Sequence, residues 1–368
     1  MEQFKRFLAR KDIVFTLRRY GIDALAAMAQ GLFCTLLVGT ILNTLGQQLG
    51  IGFLQKVIVS VGTGEGAVHY TIGALASAMV GPGIAVAIGF TLHCPSLVLF
   101  SLIPVGFAAN ALGRAGGPLS VYFVAIAAAE CGKLVSRETK IDILVTPIVT
   151  ILVGIGFANL VAAPIGAMAS AVGDFVKWAT LQQPFLMGIL VSVTVGMALT
   201  LPISSAAICA ALTLTGLAGG AAVAGCCAQM VGFAVMSFRE NRWGGLIAQG
   251  IGTSMLQMPN IVKNWRIWIP PTLASAITGP LATCLFRLEM NGAAVSSGMG
   301  TCGFVGQIGV YTGWVNDVAA GTKAAITVMD WAGMVLICFV LPAVLSTLFC
   351  RILRKIGWIT DGDLKLEL

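Results

Sequence analysis

Long apolar runs, rather than amphipathic periods, organise this chain. They extend over about 24–45, 69–92, 96–112, 118–131, 141–163, 184–199, 202–219, 221–238, 270–288 and 331–349. A hydrocarbon core of about 30 Å takes about 20 helical residues. The pattern therefore predicts an all-α polytopic membrane protein with about ten transmembrane helices. The run at 118–131 is short for a crossing and either begins earlier or enters a cavity as a half-span. Residues 166–183 set Asp174, Lys177 and Trp178 beside Phe175 and Val176, which predicts an interfacial segment. Ahead of the first run, Phe4, Phe7, Leu8, Ile13, Val14 and Leu17 recur at roughly helical spacing among basic residues. They predict an amphipathic cytoplasmic helix over 1–20 that lies on the inner leaflet. The expected organisation is that helix, a transmembrane domain over 21–358 and a short tail over 359–368.

Two stretches resist assignment as spans. GGLIAQGIGTSMLQMPN (244–260) and NGAAVSSGMGTCGFVGQIGVYTGW (291–314) are mostly apolar yet crowded with glycine, hydroxyls and amides. They also resemble each other: Gly250, Ile251, Gly252 and Thr253 are followed by Gln257, and Gly298, Met299, Gly300 and Thr301 by Gln307. VGTGEG at 61–66 is a weaker third echo. Irregular backbone at membrane depth is tolerated only inside protein or beside a water-filled cavity. Paired glycine-interrupted segments are also the sequence pointer to a transport site. Close helix packing would account for the glycines. It leaves Gln249, Gln257, Asn260, Asn291 and Gln307 unexplained, because an amide without partners in hydrocarbon costs several kcal/mol. The expectation is a pair of re-entrant, broken segments. Their Thr253, Gln257, Asn260, Asn291, Thr301 and Gln307 would line a cavity for a polar, sugar-like solute.

Composition sharpens the membrane reading. Only 10% of the 368 residues are charged, against roughly 25% in soluble domains. The apolar fraction is 57% and the mean hydropathy is +0.93. Such a chain can neither cover a globule with polar surface nor remain disordered, which excludes a water-soluble enzyme. The net charge of +7 gathers at run ends, in residues 5–19, at Lys133, Arg137 and Lys140, at Arg239 and Arg242, at Lys263 and Arg266, and at Arg351, Arg354 and Lys355. That is the positive-inside pattern of a protein embedded in lipid, with both termini cytoplasmic, and not a stripe for nucleic acid.

The ionisable residues apart from those clusters include Glu289, Asp317 and Lys323, and also one close pair. Glu65 and His69 stand four apart, one face of a helix, beside the third glycine-rich motif. They either contact a solute hydroxyl or relay a proton, or they sit at a membrane–water interface with Glu65 capping the helix that His69 begins. Glu130 and Lys133 read as an i, i+3 pair at a helix end. Asp330 reads as the cap of the last span, with Trp331 as its interfacial anchor, and His93 as the end of an earlier one. The ten cysteines form no CxxC pair and the two histidines complete no ligand set, so neither a metal nor a cofactor is expected. No GxxxxGK[ST] loop is present to power the chain with ATP.

The opening LRRYGIDALAAMAQGLFCTLLVGTILNTLG and the late GMGTCGFVGQIGVYTGW resemble one family of bacterial membrane proteins. It is the sugar-translocating IIC component of the phosphoenolpyruvate phosphotransferase system, in its second EIIC branch, and the likeness runs over about 15–358. The resemblance implies a homodimeric permease of the bacterial plasma membrane that works by alternating access. Re-entrant hairpins would cradle the sugar, with 253–260 and 291–307 as substrate-side loops and Glu65 and His69 as sugar contacts. Such permeases work with phosphorylated IIA and IIB domains, and this sequence contains neither. It either works with separate IIA and IIB proteins or moves its solute unphosphorylated. Two rival functions stay open: a proton- or ion-coupled transporter of an organic anion using Glu65 and His69, and a ligand-sensing membrane regulator. Uptake under an imposed pH gradient separates the first rival from a IIC permease, and demonstrated net transport removes the second as the sole function.

Overall fold

The computed structural model describes residues 2–62 and 67–366. The protein is all-α, 79% helical, with a single two-stranded antiparallel sheet among the described residues. The chain folds as two compact units, one of residues 1–43 and 52–168, the other of 44–51 and 169–368.

In the first unit, α1 (Glu2–Arg10) ends in a turn at Asp12, whose φ is +52°. Residues 13–16 are not helical, so the single helix expected over 1–20 is two pieces. The cause is Asp12 itself: aspartate tolerates the left-handed conformation, and its carboxylate is held by both terminal nitrogens of Arg19 at 3.1 and 2.6 Å. The helix α2 (Arg19–Gln47) follows. Next come the antiparallel strands β1 (Val59–Val61) and β2 (Val68–Tyr70). The bent pair α3 (Ile72–Ala78) and α4 (Val80–Thr91), 53° apart, returns along α2, with Gly31 against Ile84 and Gly39 against Ser77. The chain then reverses at His93, whose φ is +55°, so this residue does end a span. Helices α5 (Ser96–Gly113) and α6 (Gly117–Val135) fold back on each other at Arg114, with Val98 beside Gly132 and Asn110 beside Gly117. Glu130 and Lys133 do pair, at 2.9 Å, but deep in the unit: the Lys133 side chain is 1% exposed.

The helix α7 (Asp142–Ala179) runs through Pro147 and Pro164 without stopping. The interfacial segment expected over 166–183 is therefore mostly its last turns. Ala169, Val176 and Ala179 are buried there, while Asp174, Phe175, Lys177 and Trp178 are exposed. Amphipathic patterning read as a surface segment is the outer face of one long helix.

The second unit is built round α10 (Gly216–Met236), the most enclosed of the helices that pass for membrane spans, with 89% of its apolar window buried. The helix α8 (Pro184–Thr200) runs parallel to it, with Ser192 against Gly225 and Thr200 bonded to Gln229. Between them the span expected at 202–219 is only the seven-residue α9 (Ser205–Ala211). Positive φ at Thr213 and Gly216 ends it, and α10 starts at once. The helix α13 (Ile269–Pro280), extended by a π turn at Leu281–Leu285, runs antiparallel to both, with Gly188 against Gly279 and Gly232 against Pro271. The helix α15 (Val328–Lys355) runs with α10, placing Ser346 against Gly232. Asp330 caps it as expected: Thr327 and Asp330 form a reciprocal capping box.

Among the described residues, five stretches are long and apolar enough to cross a membrane, six with the bent pair. One of them, 96–135, is two helices folded together, and Pro184–Thr200 adds a shorter one. Together with α13 this approaches the ten runs of the sequence. Further π turns interrupt α2 at Arg19–Asp23 and Phe33–Leu37, and α15 at Leu336–Val340.

Candidate functional site

Two broken segments enter the second unit from opposite ends of α10. The first starts at the end where Arg239, Arg242, Arg351 and Arg354 gather. It comprises α11 (Phe238–Ile247), a π turn at Ala248–Gly252, a sharp break at Thr253, a 3₁₀ turn at Ser254–Gln257 and α12 (Met258–Lys263). The Thr253 hydroxyl accepts from the Met255 N–H and so caps the turn. The second leaves the far end of α13. Met290 pairs with Gly216 through two backbone hydrogen bonds of 3.0 Å, then 3₁₀ turns at Ala294–Gly298 and Cys302–Phe304 lead into α14 (Val305–Ala319).

The tips of the two segments meet, the turn at 302–304 packing on the turn at 248–252. The paired GxGT motifs of the sequence thus come together in space. Gly300 shows why glycine is required: its φ is +53°, and a Cβ there would lie 2.7 Å from the Cys226 Cβ. Seating is completed by hydroxyls. Ser205 donates to the Gly298 carbonyl at 2.8 Å, Ser297 to the Leu214 carbonyl at 2.6 Å, and Thr200 and Ser254 share a bond of 2.8 Å.

The individual residues separate into groups. Gln249, Gln257 and Asn260 form a buried amide chain: Gln257 donates to the Gln249 Oε1 and Asn260 to the Gln257 Oε1, each at 2.9 Å. The Gln257 and Asn260 amides also reach the backbone of the C-terminal tail, at the Leu364 carbonyl (3.0 Å) and the Lys365 carbonyl (2.9 Å), while Gln249 donates to the Ser237 hydroxyl and the Gly245 carbonyl. Asn241 bonds the same stretch from the other side. These amides are hydrogen-bonded within protein, and the tail is the partner that sequence reasoning did not supply.

Thr301 and Gln307 are buried near the hairpin tip. Thr301 contacts the Met230 sulfur at 3.5 Å, and Gln307 donates to the Cys227 sulfur at 3.1 Å. The Gln307 Oε1 is enclosed and, among the described residues, has no hydrogen-bond partner, an orphaned acceptor in the middle of the unit. His69 lies on β2, opposite Ser60, not on a helix; its Nδ1 and the Ser60 hydroxyl are 2.7 Å apart and the pair is exposed. The helical face expected for Glu65 and His69 is thus replaced at His69 by a strand, and the next helix is capped by Thr71. Glu65 lies outside the described residues.

Asn291 occupies the mouth of the second segment. Its Nδ2 donates to the Asp317 Oδ2 at 2.8 Å and to the Glu289 Oε2 at 3.3 Å, and its Oδ1 accepts from the Gly216 N–H. Around it opens a cavity of about 490 Å³ bounded also by Arg287, Trp314, Lys323 and Asp330. Lys323 is tied to Asp330 at 2.8 Å. Among the described residues, the second oxygens of Glu289 and Asp317 accept no hydrogen bond. The cavity thus combines carboxylate acceptors, cationic donors and an indole, a lining suited to a neutral polar molecule with a CH face. Trp314 is the residue that the apolar pattern concealed; its i, i+3 spacing to Asp317, on the face of α14 that carries Gln307 and Val310, is the signal that could have exposed it.

Two broken segments thus meet beside α10 on an all-α scaffold of apolar helices, and comparison of sequences names the family. A profile of the family described as "Phosphotransferase system, EIIC" matches residues 22–366. The chain belongs to this family. Comparison with curated proteins and with solved structures gave no match. As an EIIC protein it is the multi-pass membrane component of a bacterial sugar phosphotransferase system, in the plasma membrane. EIIC membership agrees with the resemblance drawn from the opening helix and the second GxGT segment.

Proposed function

We propose that this EIIC protein is a permease that binds a neutral, sugar-like solute in the cavity around Asn291 and passes it inward by alternating access. The observation that carries this reading is the cavity's lining. Glu289 and Asp317 present unused acceptors on either side of Asn291, with the Trp314 indole beside them. Arg287 and Lys323 nearly balance the three carboxylates, which favours hydroxyl groups over a charged solute. From there Asp317, Trp314, Val310 and Gln307 follow one face of α14 toward the hairpin tip, where the free Gln307 Oε1 and the Thr301 hydroxyl offer a deeper station. Thr253 stands on the facing segment, and His69 and Glu65 belong to a second, separate candidate region. A homodimer with both termini cytoplasmic, served by separate IIA and IIB proteins, completes the proposal.

Equilibrium binding of a panel of sugars, polyols and sugar acids to the purified protein, with uptake in cells, tests it. Asp317→Asn and Asn291→Ala are expected to weaken binding of the accepted sugar at least tenfold. Unchanged binding and uptake in both variants would sink the site. Stronger uptake of an anion under an imposed pH gradient would favour the ion-coupled alternative.

A further inference from the structure

At the opposite end of the second unit, where α10 passes into α11 and α15 ends, lies a different kind of cavity. It measures about 550 Å³ and holds four guanidinium groups, those of Arg239, Arg242, Arg351 and Arg354. Two carboxylates answer them. Glu240 and Asp361 both pair with Arg354, and Asp361 reaches Arg239 at 3.5 Å. Among the described residues, Arg242 and Arg351 have no ion pair or hydrogen bond. Like charges brought together in this way raise the energy of the empty cavity and favour an anion in it.

Two further features point to a ligand. The Thr347 hydroxyl, on the cavity wall, is enclosed and has no hydrogen-bond partner among the described residues. Arg242 forms the kink between the two helical pieces of α11, with φ +52° and ψ −150°, a conformation that non-glycine residues rarely adopt. Backbone strain of that kind clusters at ligand clamps and switch regions.

The remaining wall is apolar, formed by Val235, Met236 and Phe238. It continues onto the exposed stripe Val344, Leu348 and Ile352 of α15, which flanks Arg351. Trp243, 68% exposed, packs edge-on against Phe238 at the same level, as an interfacial anchor does. A soluble anion would use the guanidinium groups and leave this stripe uncovered. A molecule with a phosphate head and hydrocarbon chains uses both.

We propose that this cavity binds the headgroup of an acidic phospholipid, the phosphate between Arg242 and Arg351 and the acyl chains along Val344 and Leu348. Basic recesses between membrane helices on the side that gathers lysine and arginine recognise such headgroups.

The test titrates the purified full-length protein, in neutral detergent, with phosphatidylglycerol and with phosphatidylcholine, and counts retained lipids by native mass spectrometry. Phosphatidylglycerol is expected to be retained at concentrations where phosphatidylcholine is lost. Arg242→Gln with Arg351→Gln should weaken that retention by roughly 30-fold, about fivefold for each charge. Arg351→Gln alone, on a regular helix, gives the same direction without touching the strained residue. Arg137→Gln with Lys140→Gln, in the first unit, should leave retention unchanged. Equal retention of the two lipids, or undiminished phosphatidylglycerol binding in both variants, would overturn the proposal. So would displacement of phosphatidylglycerol by equimolar glycerol 3-phosphate, since the ligand would then be a soluble phosphate ester.

Discussion

The Gln257 side chain donates at 2.9 Å to the Gln249 Oε1, and the same nitrogen reaches the Leu364 carbonyl at 3.0 Å. One buried amide thus ties the first broken segment to the tail of the chain. Gln257→Ala strips partners from Gln249, Asn260 and Leu364 together, and each buried polar group left unpaired costs about 1–3 kcal/mol. The expected result is a lower midpoint of thermal unfolding and faster protease cleavage near 359–366. A tail as resistant as in the parent protein would show that the amide chain does not hold it.

Lys133 is enclosed with Glu130, and its ammonium also donates to the carbonyls of Asp12 and Leu92 at 3.0 and 3.1 Å. Removing one member of a buried ion pair costs about 3–5 kcal/mol, because the other charge stays buried. Lys133→Met should therefore be severely destabilising. Lys133→Met with Glu130→Gln should recover part of the loss in the same thermal measurement, since no lone carboxylate remains.

Gly300→Ala combines a strained φ with a contact that backbone must yield to. Overpacking typically costs about 1–3 kcal/mol and the left-handed conformation roughly 1–2 kcal/mol. Gly357→Ala is the matched control: its φ is +80°, but nothing lies within 4 Å of the added methyl. The Gly300 variant should lose clearly more thermal stability than the control, and parity would mean that the hairpin tip relaxes freely.

Asp12 gives a pH signature. The Arg19 guanidinium holds its carboxyl at about 2, below the usual 3.8, against a desolvation effect that raises it, with the His93 hydrogen bond assisting. A carboxyl depressed in the folded state stabilises the fold above its unfolded value, and the gain disappears as pH falls through the folded one. The stability difference between parent and Asp12→Asn should be constant above about pH 5 and shrink between about pH 4 and 2. A difference that is flat across that range would detach Asp12 from the N-terminal turn.

Apolar run lengths carried most of the scaffold, because a helix in lipid needs a continuous apolar surface and little else. They misjudged 202–219, where the break lies in backbone torsions at Thr213 and Gly216 rather than in hydropathy. The GxGT repeat marked both hairpin tips, and at the second one Gly298 and Gly300 show why, since only glycine permits that approach. Its neighbouring amides were harder to read: a glutamine facing water and one facing a distant backbone carbonyl look alike in sequence, and the carbonyls of Leu364 and Lys365 are over a hundred residues away. The charges of Glu289 and Asp317 were visible, but not their convergence on Asn291.

The π turn at Leu336–Val340 adds one residue to α15 between two fixed points, Asp330 paired with Lys323 and Arg354 paired with Glu240. One residue of α-helix corresponds to about 100° of rotation and 1.5 Å of rise. The wider turn absorbs that rotation, so the two ends keep the phase of a regular helix one residue shorter, one facing the carboxylate-lined cavity and the other the arginine-lined one. Deleting a single residue there should restore a regular turn and keep both ends in register, whereas the same deletion elsewhere in α15 would turn one end away from its partner.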